Sequence, residues 1–255
     1  MPAPIALQLY TVRDALARDF AAVIGKIAAI GYVGVETAGF PGTTPQQAAA
    51  LFRELGLAVP SAHTALPLGD QKNLVLDTMG ELGCKRIVAP SPPEEANKYQ
   101  TLDHIRLACD LFNEANAVAL ANGLTFGIHN HWREFEQVDG RYVYQVLLEH
   151  LEPEVFFQID TYWVKTAGVN PAKVVRELGA RTPLLHIKDG PCVKDEPQVA
   201  VGDGAMDVPA IVQAAGDATE WMIVELDQCA TDMLETVEKS YHYLVGEGLA
   251  RGRQH

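Results

Sequence analysis

The sequence predicts an α/β protein that folds as a single-domain (β/α)8 TIM barrel over residues 1–255. First, eight short, strand-like runs alternate with helical segments along the chain. Second, runs such as WMIVE and VFFQI are apolar throughout, as expected when helices or a barrel interior cover both faces of a strand. Third, no second compositional regime divides the 255 residues, and this length is typical of one such barrel.

The first half of the chain carries four strand–helix units. Strand-like runs cover residues 4–9, 32–36, 57–63 and 86–90, and helical segments cover 14–30, 44–55, 70–82 and 100–122. Gly31 ends the first helix, because glycine readily adopts the left-handed conformation that closes a helix. Thr44 is placed to cap the second helix, and Pro45 takes its first position, where a missing N–H does no harm. Each strand is therefore followed by a helix that can cross back over the sheet.

The second half repeats the pattern. Strand-like runs at 124–130, 155–160, 183–189 and 221–226 are followed by helical segments at 141–151, at 171–179, after Val208 and at 231–248. The turn after the first strand, QLYTVRDA, lacks the glycines of a dinucleotide-binding fold, so we expect no nucleotide cofactor. Segment 190–207 is the longest loop, and it could serve as a lid or as a plain connector. Its GDG turn is weak evidence for a phosphate, and a non-phosphorylated substrate is favoured.

Charge and composition limit the kinds of partner that the protein can bind. A net charge of −13 argues against nucleic acid, because binding phosphates needs clustered Lys and Arg. No window approaches the roughly 20 apolar residues of a spanning helix, so no membrane partner is expected. The N-terminal MPAPIALQLYTVRD has no basic leader, and the four cysteines have no CxxC spacing. These features favour free thiols in the cytoplasm. The sequence is compatible with both a monomer and a homo-oligomer.

Polar side chains gather at the C-terminal ends of seven of the eight predicted strands. They are Gln8, Glu36, His63, His129, His131, Asp160, His186, Lys188 and Glu225. Barrel enzymes place their chemistry there, because the ends of all the parallel strands meet at one mouth. Crowding ionisable groups together has a desolvation cost that stability alone would not favour. We therefore interpret Gln8, Glu36, His63 and His129 as substrate-binding residues.

These groups predict one divalent metal ion as cofactor. Asp160, His186 and Glu225 each follow an apolar run and supply carboxylate and imidazole ligands of the kind that divalent metals accept. The candidates for a fourth ligand in HNHWREF are His129, His131 and Glu134. Glu134 is favoured as that ligand, because from the loop its side chain can turn back into the mouth. His131 is favoured as the acid/base residue.

Two longer side chains have two interpretations each. Lys188 lies two residues after His186, so its ammonium could hold a substrate oxygen or stabilise an enediolate. Its alternative is a surface ion pair with Asp189. Trp163 offers a flat face on which a sugar ring could pack, or it is a core aromatic residue.

With these residues assembled, the chain resembles the sugar isomerase/epimerase superfamily with the xylose-isomerase-like TIM barrel. That superfamily includes ketose 3-epimerases, hydroxypyruvate isomerase, inosose dehydratase and, more distantly, endonuclease IV. The motifs that carry the resemblance are LQLYTVRD, GYVGVE, PSAH, GIHNHWREF, DTYW, HIKD, VGDGAMD and VELD. The resemblance implies one Mn²⁺, Mg²⁺, Co²⁺ or Zn²⁺ ion bound through Glu, Asp, His and Glu.

The resemblance maps the last three ligands onto Asp160, His186 and Glu225. The first glutamate of the pattern normally ends the fifth strand, where this chain has His129. This departure implies that the ligand moves to Glu134. Trp163 stands where epimerases often carry a substrate-binding histidine.

The chemistry that such a site supports is removal of a proton next to a carbonyl, through a metal-stabilised enediolate. His131 or Glu134 on one side and Glu225 on the other could act as acid and base, with Lys188 assisting. Returning the proton gives a sugar isomerase or epimerase, which is the first prediction. Expelling a β-substituent instead gives a lyase acting on a keto-sugar, inosose or keto-glycoside. An endonuclease IV-like phosphodiesterase and a sugar-binding barrel without turnover are weaker alternatives.

Overall fold

Parallel strands form the centre of the fold. The computed structural model describes residues 1–253, with every side chain among them except those of Glu95 and Asn97. Its strands are β1 Ile5–Gln8, β2 Gly34–Ala38, β3 Ala62–His63, β4 Arg86–Ala89, β5 Thr125–His129, β6 Gln137–Val138, β7 Arg141–Tyr142, β8 Phe156–Asp160, β9 Leu184–Ile187 and β10 Trp221–Val224. Eight of them close into a barrel in the order β1-β10-β9-β8-β5-β4-β3-β2, and β6 and β7 form a separate antiparallel pair. The predicted (β/α)8 barrel is confirmed.

Helices surround the barrel. They are α1 Arg13–Leu16, α2 Phe20–Ile30, α3 Pro45–Glu54, α4 Lys72–Leu82, α5 Leu102–Ala121, α6 Val143–His150, α7 Thr161–Thr166, α8 Pro171–Leu178, α9 Val208–Ala215 and α10 Met233–Gly246. Short 3-10 turns lie at Leu9–Val12, Gly69–Gln71, Glu94–Tyr99, Arg133–Phe135, Gly179–Arg181 and Gly216–Ala218. The apolar faces of the helices and the outward side chains of the strands form the main core. Among residues 1–253, none of the helices is long and apolar enough to cross a membrane.

The first helix and the third strand are much shorter than the sequence predicts. The first predicted helix is split, because the Asp19 side chain accepts the Ala22 N–H and starts a new helix there. The third strand is reduced to Ala62–His63. Pro60 lies in the lost part of that run, and proline has no N–H to donate to a neighbouring strand.

The barrel interior changes from apolar to polar along its axis. Every second residue of a strand points inward, and the lower layer consists of Ala6, Val88, Phe156, Leu184 and Ile223, packed against Trp221. Two positions further along the same strands, toward the C-terminal mouth, the buried residues include Gln8, Gln158, His186 and Glu225. The lower layer leaves little space, since a Cβ at Gly34 would lie 2.7 Å from the Trp221 ring. The polar layer therefore rests on a packed apolar floor.

Hydrogen bonds to the Asp189 carboxylate hold the long loop 190–207 that follows β9. Asp189 is fully buried, and its carboxylate accepts the backbone N–H groups of Gly190, Gly202 and Met206 at 2.8, 3.0 and 3.0 Å. The Gly202 N–H that a phosphate cradle would use is thus already engaged. One interpretation of the sequence placed Asp189 in a surface ion pair with Lys188. Asp189 is instead buried beneath the loop.

Candidate metal centre and substrate cavity

Four buried side chains converge at the C-terminal mouth of the barrel. His129 ends β5, Asp160 ends β8, His186 lies on β9 and Glu225 directly follows β10. One possible ligand atom from each lies within 4.8 Å of the others. Asp160 and His186 are paired residues in the register of β8 and β9, so strand pairing itself sets their side chains next to each other. This cluster could hold a metal ion.

Asp160 shows how the local fold aims a ligand. Its Oδ1 accepts the N–H groups of Tyr162 and Trp163 and so caps helix α7. Its Oδ2 is buried and accepts no well-aligned hydrogen bond, although it lies 2.9 Å from Lys188 Nζ and 3.9 Å from His129 Nε2. A buried carboxylate oxygen without a full set of partners is the kind of atom that a cation satisfies. The donor set of two imidazoles and two carboxylates also suits Mn²⁺, Co²⁺ or Zn²⁺.

Lys188 contacts three carboxylates. Its Nζ lies 2.9 Å from Asp160 Oδ2, 2.9 Å from Glu225 Oε2 and 2.7 Å from Asp227 Oδ2. Burial alone would lower the pKa of Lys188, but the three carboxylates raise it well above its ordinary value. The Lys188 ammonium donates a hydrogen bond to Asp227 and lies within ion-pair distance of Asp160 and Glu225. Lys188 therefore offsets the charge of these acids, and its interpretation as a substrate-binding or catalytic residue stays a prediction.

Gln8 and Glu36 lie beneath the cluster. Both are fully buried inside the barrel. Glu36 accepts hydrogen bonds from Gln8 Nε2 at 2.6 Å and from the Ser61 hydroxyl, and its Oε2 lies 2.6 Å from His186 Nε2. The alternation of the strands carries both side chains into the interior, where Glu36 supports His186. Their interpretation as substrate-binding residues stays a prediction, and the structure places them below the two cavities rather than on their walls.

His186 lies between two acids. Its Nδ1 is 2.6 Å from Glu225 Oε2, opposite the contact with Glu36. Burial would lower the pKa of His186, yet the two carboxylates raise it to about 10, so the metal-free imidazole is protonated. Coordination of a metal would displace a proton from this ring.

Glu134 lies outside the four-residue cluster. Its carboxylate folds back to accept the His131 backbone N–H at 2.8 Å, closing the 3-10 turn that follows β5. Burial raises the pKa of this carboxyl to about 7. The sequence favours Glu134 as the fourth ligand, but in the structure it is His129 that lies with Asp160, His186 and Glu225 in the cluster. Its role as an acid or base remains a prediction.

Three histidines and two tryptophans line the two cavities above the cluster. An inner cavity of about 400 Å³ is lined by Tyr10, Ala38, His63, Pro90, Ser91, His129, His131, Glu225 and Asp227. An outer cavity of about 730 Å³ shares His131, Ser91 and Asp227 with it and adds Trp132 and Trp163, whose ring centroids are 5.1 Å apart. Burial lowers the pKa of His131 to about 4, so this imidazole is unprotonated at neutral pH.

Sequence reasoning missed three polar residues of this region: Ser61, Gln158 and Asp227. Gln158 and Ser61 were detectable, because each lies two positions before a predicted site residue, Asp160 and His63, and so shares its side of the predicted strand. Asp227 follows the eighth predicted strand and carried no such signal.

Fold and site together define a class: a TIM barrel with a potential metal centre at its C-terminal mouth. A family model described as a xylose isomerase-like TIM barrel matches residues 24–241, and the chain belongs to that family. No match was found among curated proteins.

Solved structures agree on the architecture. A sugar phosphate isomerase/epimerase from Parabacteroides distasonis superposes with a TM-score of 0.83 at 24% identity, covering 98% of this chain and 96% of that chain. A D-allulose 3-epimerase from Methylomonas sp. gives 0.69 at 15% identity, covering 96% and 98%. A probable 3-DHS dehydratase from Bacillus anthracis gives 0.77 at 11% identity, covering 95% and 98%. At these identities the likeness shows the fold alone.

Proposed function

We propose that this protein is a divalent-metal-dependent sugar isomerase or epimerase that removes a proton next to a carbonyl. The observation that carries the proposal is the buried cluster of His129, Asp160, His186 and Glu225 at the floor of the inner cavity. Isomerase and epimerase relatives of the same fold support it. The fourth ligand in this proposal is His129, which replaces the earlier preference for Glu134.

A divalent ion held by these residues would stabilise the negative charge that develops on the substrate oxygens as the proton leaves. The protein supplies the proton acceptors. Burial would raise the pKa of Glu225, but Lys188 and His186 hold it well below its ordinary value, so the carboxylate is ionised. His131 is unprotonated and lines the same inner cavity. Glu225 and His131 can therefore exchange protons with a substrate bound in the inner cavity, which both residues line.

Substrate recognition is assigned to the walls of the cavities. His63 and Trp163 keep their sequence-based roles as substrate-binding residues, because each lines one of the two cavities. The Trp163 ring is nearly buried, and together with Trp132 it forms an apolar wall against which a sugar ring can pack. The substrate class that fits is a small keto-sugar, with no nucleic acid involved.

A lyase acting on a keto-sugar or keto-glycoside is the second candidate, and the outer cavity favours it. The inner cavity can hold the reacting sugar, and the larger outer one adjoins it along His131 and Asp227. A leaving group on the neighbouring carbon would have space there. The same proton abstraction would then end in loss of that group rather than in return of the proton.

The test combines metal analysis with a panel of keto-sugars and keto-glycosides in deuterated water. We expect turnover to stop on chelation and to return with Mn²⁺, Co²⁺ or Zn²⁺. Deuterium bound to carbon in a recovered sugar identifies the isomerase or epimerase, and release of a substituent identifies the lyase. Turnover that survives complete chelation would refute both.

Matched variants localise the activity. Asp160→Asn should lose bound metal and turnover while the far-ultraviolet circular dichroism stays that of the wild type. Asp207→Asn is the control, because Asp207 only caps helix α9. Wild-type activity in Asp160→Asn would contradict the site.

A further inference from the structure

We propose that Glu36 and Gln158 fix the positions of the ring protons on His129 and His186, so that an unprotonated nitrogen of each imidazole can face the metal centre. The inference rests on the metal-dependent function proposed above. Glu36 and Gln158 are positioning residues, since both are fully buried and neither lines the inner or the outer cavity.

The network starts from a carboxylate that can only accept. Tyr10 donates its backbone N–H to Gln8 Oε1 at 3.1 Å, which fixes the orientation of the Gln8 amide. Gln8 Nε2 must then be the group that donates to Glu36 Oε2 at 2.6 Å. The Ser61 hydroxyl donates to the other oxygen, Oε1. Glu36 therefore requires a donor from each further neighbour.

Gln158 links Glu36 to the imidazoles of His63 and His129. Its Nε2 donates to Glu36 Oε1 at 2.5 Å, so its Oε1 points the other way. That carbonyl oxygen lies 2.6 Å from His63 Nε2 and 3.2 Å from His129 Nδ1. A carbonyl oxygen only accepts, so both ring nitrogens must carry hydrogen. A neutral His129 is then unprotonated at Nε2, the nitrogen on the side of Asp160 Oδ2.

The proton on His186 Nε2 is fixed by Glu36 directly, without Gln158 between them. Its Nε2 lies 2.6 Å from Glu36 Oε2 and donates to it. Its Nδ1 faces Glu225, another member of the cluster, and is the nitrogen that would give up its proton when a metal ion binds. Both imidazole ligands thus depend on one buried carboxylate. A strand end that carries His129 instead of a carboxylate needs this control, because only one tautomer presents a lone pair.

The proton positions can be measured without metal. Long-range ¹H–¹⁵N correlation spectra of the metal-free protein report which nitrogen of each neutral imidazole is protonated, with His63→Gln and His129→Gln assigning the signals. We expect hydrogen on Nδ1 of His129 and on Nε2 of His63. Hydrogen on Nε2 of His129 would overturn the inference even if the protein binds metal.

Metal affinity gives the second readout. Gln158→Met removes the amide while keeping a similar volume, and competition with a chelating dye should show Co²⁺ or Zn²⁺ bound about 10- to 100-fold more weakly. Ser61→Ala is the control, because Ser61 donates its hydroxyl to Glu36 and, within residues 1–253, to no imidazole; this variant should bind metal with close to wild-type affinity. Wild-type affinity in Gln158→Met would overturn the inference. If the wild type binds no divalent ion, the proposed function fails, and the spectra of the metal-free protein still decide the proton positions.

Discussion

Replacing Lys188 with methionine tests whether the ammonium balances the negative charge of Asp160, Glu225 and Asp227 in the metal-free protein. Methionine keeps much of the side-chain volume and removes the charge. Asp160 and Glu225 are almost completely buried, and each loses a cation 2.9 Å away, while Asp227 is about one-third exposed at its side chain and can be hydrated. Removing one partner from a buried ion pair typically costs about 3–5 kcal/mol. We expect the metal-free Lys188→Met protein to lose about that free energy of unfolding.

Urea denaturation with and without metal measures this effect. A divalent ion neutralises the same oxygens, so added Mn²⁺ or Zn²⁺ should restore more stability to Lys188→Met than it adds to the wild type. Lys239→Met is the control, since Lys239 is exposed on helix α10. A loss below about 1 kcal/mol in the metal-free variant, the range of an exposed ion pair, would refute the reasoning.

Three further changes probe the support of the site. Burial raises the pKa of Glu134 from 4.5 to about 7, so the folded protein keeps this proton at pH values where the unfolded chain has lost it, and the free energy of unfolding falls as pH rises through that window. Between pH 4 and pH 8, urea denaturation should show this fall to be smaller in Glu134→Gln than in the wild type, by up to about 3 kcal/mol. Parallel curves for the two proteins would contradict this. Gly127→Ala should destabilise the barrel by about 1–3 kcal/mol in thermal unfolding, because the new methyl group would overlap the Phe156 ring; an unchanged melting temperature would count against it. Asp189→Asn should loosen loop 190–207, since an amide cannot accept three N–H groups as a carboxylate does; limited proteolysis should cut there faster than in the wild type, and equal rates would exclude this role.

The alternation of apolar strands and helical segments was enough to predict the barrel. Its strand ends also pointed to Asp160, His186 and Glu225, because parallel strands in one barrel bring their C-terminal ends together whatever the details of packing. Strand length was harder to predict, since a single Pro60 shortened the third strand.

Side-chain direction decided the rest. Glu134 and His129 are close in sequence, and only the fold of the turn after β5 shows that Glu134 folds back onto the His131 N–H while His129 enters the cluster. The spacing of residues in the sequence could not show that Lys188 lies within ion-pair distance of three carboxylates, or that Glu36 lies beneath the mouth.

The sequence by itself therefore determined the architecture and the strand ends at which Asp160, His186 and Glu225 lie, because hydrophobic periodicity is a local property of the chain. Only the tertiary structure decided which atoms face the ligand and which hold their neighbours. The contacts of Glu36 with Gln158 and His186 join residues 122 and 150 positions apart, and they exist only once the barrel is closed.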